Sequence, residues 1–185
     1  MDKDLFNKQT TQEDLPIEIS IATVKDLDDY IKIRLEAYEN NPEAFGIDLS
    51  RLSEELAIKR DVPIEKWKID LESPFRFFFL ARQNGKPVGV IGAFQEKKNS
   101  EDDPDVWRGA HFYVSNSVRG RNIGKELMQR VLDEVRKRGG DAITSFVSND
   151  PKQQIALAMY KRLGFKIVRE ETKSYLIRLD LGDKK

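Results

Sequence analysis

Apolar and polar residues alternate over residues 17–22 (IEISIA), the period of a strand with one buried face. The period then lengthens. Leu27, Tyr30, Ile31, Leu35 and Tyr38 recur at intervals of three and four, which predicts an amphipathic helix. Thr23 and Asp26 stand where a capping box would open it, with Asp in place of the usual Glu. Asn40-Asn41-Pro42 closes it, because the residue before a proline is pushed out of the helical region. Two shorter helical stretches follow at 49–60 and 64–71, divided at Val62-Pro63.

Residues 76–83 (RFFFLARQ) and 86–95 (KPVGVIGAFQ) read as strands. Asn84-Gly85 between them predicts a type I′ hairpin turn, which needs positive φ at both central positions. The charged run 96–105 reads as a solvated loop and 106–114 as the next strand. Ile123, Leu127, Val131, Leu132 and Val135 then form the buried stripe of a helix that stops at Arg138-Gly139-Gly140. Residues 142–147 read as a strand, and Asp150-Pro151 as an N-cap with proline at the first helical position. That helix runs to Leu163-Gly164, and 165–181 supplies two more strands. Residues 1–15 are polar and aperiodic, so a flexible tail is expected before a single domain at 16–182. Strand–helix–strand units in the second half predict an α/β (α+β) fold with a mixed sheet.

Composition narrows the function. Thirty-two basic residues balance thirty-two acidic ones, for a net charge of +0. No nucleic-acid or membrane partner is expected, since both need a basic excess or patch. Without cysteine there are no disulfides, thiolate metal sites or cysteine nucleophiles, and one histidine cannot build a multi-histidine metal centre. No metal site is expected. No apolar run approaches the ~20 residues of a membrane span. The first fifteen residues hold no apolar signal segment, so a cytoplasmic protein is expected.

Candidate chemistry gathers at 114–125 (VSNSVRGRNIGK), where a strand enters a glycine-containing turn that opens a long helix. N–H groups at such a start have no partner within the helix, and the dipole adds partial positive charge. Arg119 and Arg121 add formal charge, and the arrangement suits a pyrophosphate. Two better-known phosphate motifs are excluded: GxGxxG is absent, and GxxxxGK[ST] fails on spacing and because Glu126 follows Lys125. On this stretch alone, an ordinary strand–turn–helix connection with solvated arginines remains an alternative.

The same stretch, continued as RGRNIGKELM, resembles the (Q/R)xxGx(G/A) acetyl-CoA motif of the GNAT (Gcn5-related) N-acetyltransferases. QQIALAMYKRLGF, 153–165, is similar to their C-terminal NxxAxxLYxxxGF, and 34–46 and 85–89 extend the likeness upstream. Two positions depart from the pattern. Asn122 replaces a motif glycine, although asparagine tolerates positive φ. Gln153 aligns with the usual asparagine while Asn149 lies nearer the strand end, and either could meet the pantetheine.

The resemblance implies a GNAT-type mixed, mostly antiparallel sheet with a splayed parallel strand pair and helices on both faces. It implies acetyl-CoA as co-substrate, its pantetheine lying between the strands at 106–114 and 142–147. Backbone groups of Phe112, Tyr113 and Val114 would meet it, with the Val114 N–H on the thioester carbonyl. Arg119, Gly120, Arg121, Asn122, Ile123, Gly124 and Lys125 would hold the pyrophosphate. Tyr160 matches the family's tyrosine that protonates the departing thiolate. A phenol near ~10 and a thiol near ~8.5 are close enough for that transfer. The amine attacks directly, which agrees with the lack of cysteine.

The acceptor would be a small-molecule or peptide amine. The alternatives are a protein N-terminal or lysine acetyltransferase and a non-catalytic CoA-binding module; a homodimer is compatible with each. Phe45, Trp67 and Phe77 to Phe79 are candidates for the acceptor wall, each read more readily as core. Strand parity puts Phe112, Ala110 and Arg108 toward the cleft and His111 on the opposite face with Tyr113 and Gly109, unless a bulge intervenes. Phe146 occupies a position where some relatives carry glutamate. Amine deprotonation through ordered water or a loop carboxylate is therefore expected.

Overall fold

A computed structural model describes residues 16–101 and 103–182; the stretch read as a tail, 1–15, lies outside the described residues. The first half contributes β1 (Ile17–Ile21), α1 (Leu27–Asn40), α2 (Leu52–Arg60), α3 (Ile64–Glu72), β2 (Arg76–Gln83) and β3 (Lys86–Gln95). The second contributes β4 (Val106–Val114), α4 (Ile123–Lys137), β5 (Ala142–Ser148), α5 (Gln154–Arg162), β6 (Lys166–Glu170) and β7 (Ser174–Asp180).

Local chemistry explains the boundaries. The Asp26 carboxylate accepts from the Thr23 N–H (2.8 Å) and hydroxyl (2.9 Å), closing the turn that leads into α1. Asn84 (φ 51°) and Gly85 (φ 71°) are both left-handed, as a type I′ turn requires. Asp150 caps the turn before α5 by accepting the Lys152 N–H at 2.8 Å.

The strands form one sheet in the order β1-β2-β3-β4-β5-β7-β6. All neighbours are antiparallel except β4 and β5. Side chains alternate across it. Phe78, Leu80, Val90 and Tyr113 pack under Tyr30, Ile33, Tyr38 and Trp67 of α1 and α3. Phe77, Phe79, Ile91, Trp107 and Ile143 pack under Leu127, Met128, Val131, Val135 and Leu157 of α4 and α5. Each fully buried aliphatic contributes about 1.5–3 kcal/mol by leaving water. The buried face of α1 is turned from the expected stripe: Ile33, Arg34 and Ala37 are buried while Ile31 and Leu35 lie at its margin.

Two irregularities make the cleft. The parallel ladder holds only at Val106–Ala142, Trp107–Ile143 and Arg108–Thr144. Beyond it β4 stays bound to β3 and β5 to β7, so the two strands are held apart. Secondly, Val90 faces Tyr113 but Gly92 faces Ala110, so His111 and Phe112 together oppose one residue of β3. This is a β-bulge, with His111 at φ 58°. The parity expectation kept His111 from the cleft unless a bulge intervened, and here one does.

Candidate active site

Where β4 and β5 diverge, a cleft of about 320 Å³ opens between residues 109–114 and 145–148, with α5 as one flank. Asn41 and Ala44, from the turn after α1, stand at its mouth with Arg119 and Lys152. The Lys152 ammonium reaches Glu43 of that turn at 3.3 Å.

The register settles which backbone groups face the opening. Ser115 N–H is donated to Val88 O at 2.9 Å. In an antiparallel ladder successive residues point their N–H and C=O to opposite edges, so those of Tyr113 face β3 and those of Val114 face the cleft. The Val114 carbonyl accepts the Arg119 Nε at 3.0 Å, while its N–H points into the opening. Tyr113 lends its hydroxyl to Glu36 (3.1 Å) and accepts from Asn40 (3.2 Å), tying β4 to α1.

The turn into α4 has the conformation its residues allow. Gly120 has φ 81°, and a Cβ built there would meet nothing within 4 Å. Asn122 takes φ 61° as the helix N-cap. Glu126 N–H returns to Asn122 O at 3.0 Å, so the N–H groups of Ile123, Gly124 and Lys125 precede the first helical bond. Ile123 is buried and anchors the turn, while Arg121 is half-buried and Lys125 exposed. A Cβ on Gly124 would come within 3.1 Å of the Phe112 ring, so glycine keeps helix and strand close. Besides Val114, the Arg119 guanidinium binds Asn41 Oδ1 at 2.9 Å and lies over the Tyr113 ring. Arg119 therefore links the turn to α1.

Of the two pantetheine candidates, Gln153 lines the cleft. Asn149 does not. Its side chain donates to Thr172 O (3.3 Å) and its N–H to Lys173 O (3.1 Å), because the end of β5 is stitched to the β6–β7 turn.

Tyr160 lies in the cleft wall, 3% exposed, with its ring edge-on to Phe112 and Phe165. Burial pushes its hydroxyl up to about 12, and a hydrogen bond with Ser145 works in the opposite direction. Ser145 also reaches Gly109 O at 3.5 Å. A lone serine in a strand carries no motif, and sequence reasoning missed it.

His111 lines the cleft from the bulge and stacks on Phe78 at 5.7 Å. Gly92 permits this, since any Cβ there would strike the Phe78 ring. Burial holds His111 well below its usual 6.5, and the charges of Arg34, Arg76 and Lys59 push the same way.

The apolar candidates prove to be core: Trp67 and Phe78 are buried on the α1 side, Phe77 and Phe79 on the α4 side, and Phe45 packs edge-on to Tyr38. A polar network unforeseen from sequence lies among them. Arg34, 4% exposed, sits 5.2–5.4 Å from the ring centres of Tyr30, Tyr38 and Trp67. It donates to both tyrosine hydroxyls and pairs with Asp70 at 3.6 Å, while Tyr30 donates to Asp70 at 2.7 Å. Its signal was Tyr–Arg–Tyr at i, i+4, i+8. Among the described residues, no group of three or more His, Asp or Glu could hold a metal ion, and no helix is long and apolar enough to cross a membrane.

A mixed sheet whose one parallel pair splays over a glycine turn and helix N-terminus defines an acetyltransferase-type fold. The profile of the Acetyltransferase (GNAT) family matches residues 32–165, and the chain belongs to that family. PaiA N-acetyltransferase from Thermoplasma acidophilum, in complex with coenzyme A, superposes with a TM-score of 0.68 at 17% identity over 90% of this chain and 99% of that one. The GNAT domain of S. lividans PAT gives 0.70 at 15% identity, covering 89% and 90%. An uncharacterized N-acetyltransferase of Methanocaldococcus jannaschii is 28% identical over 160 residues, 84% of this chain. The probable N-acetyltransferase camello of Xenopus tropicalis is 32% identical over 113 residues, 58% of this chain. The chain spans 62% and 49% of the length of these two curated relatives.

Proposed function

We propose that the chain is an acetyl-CoA-dependent N-acetyltransferase that passes the acetyl group to a primary amine of a small molecule or peptide. The observation that carries this is the splay: a cleft edge of unshared β4 backbone that runs into a prepared helix N-terminus, with a buried phenol on the opposite wall. The donor's pyrophosphate fits the turn at 120–125, and its pantetheine the edge left by β5, flanked by Gln153. The coenzyme A in the Thermoplasma neighbour supports this choice of ligand.

The chemistry then needs little from side chains. The amine nitrogen attacks the thioester carbon, and the Val114 N–H meets the oxygen on which charge develops. A dipole fixed before reaction is effective there because it need not reorganise. The carbon–sulfur bond breaks, and Tyr160 supplies a proton to the thiolate. Its raised pKa keeps Tyr160 protonated through the neutral range. It also makes transfer to a thiol of ~8.5 uphill unless a neighbour eases it.

The test has two arms. Acetyl-CoA at a hundredfold excess over its Kd should stabilise the chain by about 2.7 kcal/mol against unfolding. CoA release from acetyl-CoA should depend on an added amine, screened over polyamines, amino acids, aminoglycosides and peptides. Gly124→Asp brings a carboxylate and a tight Cβ to the turn while suiting a helix start. It should keep its fold and lose at least ~10²-fold in CoA affinity, about 2.7 kcal/mol. Undiminished CoA binding by that variant would falsify the site.

A further inference from the structure

Among the described residues that line the cleft there is no aspartate or glutamate. The carboxylates on the elements around it are engaged elsewhere. Glu36 accepts from the Ser115 and Tyr113 hydroxyls, Glu39 holds Arg60, Glu43 pairs with Lys152, and Glu96 pairs with Arg108. The cations show the opposite balance. Arg34 and Arg76 share a single carboxylate, Asp70, so the group carries a surplus positive charge. The buried Arg34 Nε has no hydrogen-bond partner among the described residues. Lys59 lies 5.4 Å over the Tyr38 ring, and no described carboxylate pairs with it. One aromatic layer separates these charges from the cleft. His111 lines the cleft and stacks on Phe78 at 5.7 Å, Phe78 meets Tyr30 at 4.9 Å, and the Tyr30 ring carries Arg34 at 5.3 Å. Partly buried charges are screened far less than exposed ones, so this surplus is felt across the layer. The lowered pKa of His111 agrees, since Arg34, Arg76 and Lys59 all contribute to it.

We propose that the acceptor is a small amine that carries a carboxylate in the same molecule, the carboxylate drawn to the α1 side of the cleft by Arg34, Arg76 and Lys59 and the amine left facing the splay. The inference rests on the acetyl-transfer reading and names the substrate class of that same site. A cleft of about 320 Å³ must also admit the thioester arm, which favours a small acceptor. A diamine or an aminoglycoside would bring a second ammonium toward the cations and find no anion in the wall to receive it. A carboxylate meets the reverse. The neutral imidazole of His111 has one N–H to donate, and a bond from it to a carboxylate is charge-assisted. The cations behind Phe78 then stabilise the anion without touching it.

The experiment compares acceptors in matched pairs, read as kcat/KM for amine-dependent CoA release by the full chain. The pairs are glycine and glycinamide, β-alanine and its amide, γ-aminobutyrate and its amide, and ornithine and putrescine. Each keeps an amine and removes the anion. The amides hold the less basic amine and so more free base at neutral pH, a bias that runs against the proposal. In at least one pair the carboxylate member should be preferred by about tenfold or more, equivalent to ~1.4 kcal/mol. Lys59→Gln should cut that preference by about threefold, under 1 kcal/mol, and Lys59→Arg should retain it. Equal or reversed preference in every pair, or a preference that Lys59→Gln leaves untouched, would overturn the proposal while acetyl transfer to amines stands. If no amine of either kind releases CoA, the acetyl-transfer reading fails first and takes this proposal with it.

Discussion

The two sides of the cleft are made of different materials. On the side of α4 and α5, the proposed donor site uses main-chain N–H groups: Val114 at the splay and residues 120–125 at the helix start. Every sequence has such groups. The chain has only to place them, which takes residues that accept positive φ, such as Gly120 at 81° and Asn122 at 61°. On the side of α1 to α3 the chain uses side chains instead, centred on an arginine wrapped by three rings and tied to Asp70. A backbone site survives wide sequence change provided a few turn positions hold. A side-chain network is as particular as its neighbours.

If the sides are separable, damage to one should leave the other's function in place. The largest effect should come from Arg34→Met. Removing one partner of a buried pair typically costs 3–5 kcal/mol. Arg76 also binds Asp70, so the loss here should fall near the lower end, about 3 kcal/mol, seen as a lower urea midpoint at constant m. Coenzyme A affinity under native conditions should change less than about threefold, under 1 kcal/mol. A larger drop in affinity would break the comparison, showing that α1 supports the backbone site through the Arg119–Asn41 and Tyr113–Glu36 bonds.

Tyr160→Phe should come next. The ring contacts with Phe112 and Phe165 persist and the proton is lost. Turnover should fall ~10²-fold if proton transfer limits it, with coenzyme A affinity intact. An unchanged kcat would return Tyr160 to packing alone.

The same contrast explains what sequence reasoning could reach. Strands 76–83, 86–95 and 106–114 lie where they were expected, because an aromatic run and an Asn-Gly turn are local signals. The motif at 119–125 was legible for the same reason, since backbone sites are specified by spacing. Asn149 and Gln153 could not be separated, because their difference lies in a bond to Thr172, more than twenty positions away. Nor could the bulge at His111 be read. It depends on how β3 lies beside β4 and on Gly92 making room for Phe78, and neither leaves a mark in the sequence around 111. Arg34 lies off the stripe that predicts α1, and its place shows only where three rings from two helices close around it.

The smallest expected effect concerns His111, which stands between the two sides. Burial and the cations Arg34, Arg76 and Lys59 keep it neutral in the fold well below 6.5, whereas in the unfolded chain it titrates near that value. As pH falls through 6.5 the unfolded state takes up a proton that the folded state refuses. Stability rises with pH wherever the unfolded state binds more protons, so this histidine makes the protein lose stability on acidification. The window runs from about 6.5 down to its depressed folded value. Between pH 7.5 and 5.5 one such group contributes up to about 1.4 kcal/mol, near one proton's full slope over one unit. His111→Gln cannot titrate, so its urea midpoint should fall less than the parent's across this interval, by about that amount. Parallel losses in parent and variant would mean that His111 is protonated in the fold. The imidazolium would then need an anion beside it, and the α1 side of the cleft would hold a carboxylate turned toward the acceptor amine rather than the cations now around His111.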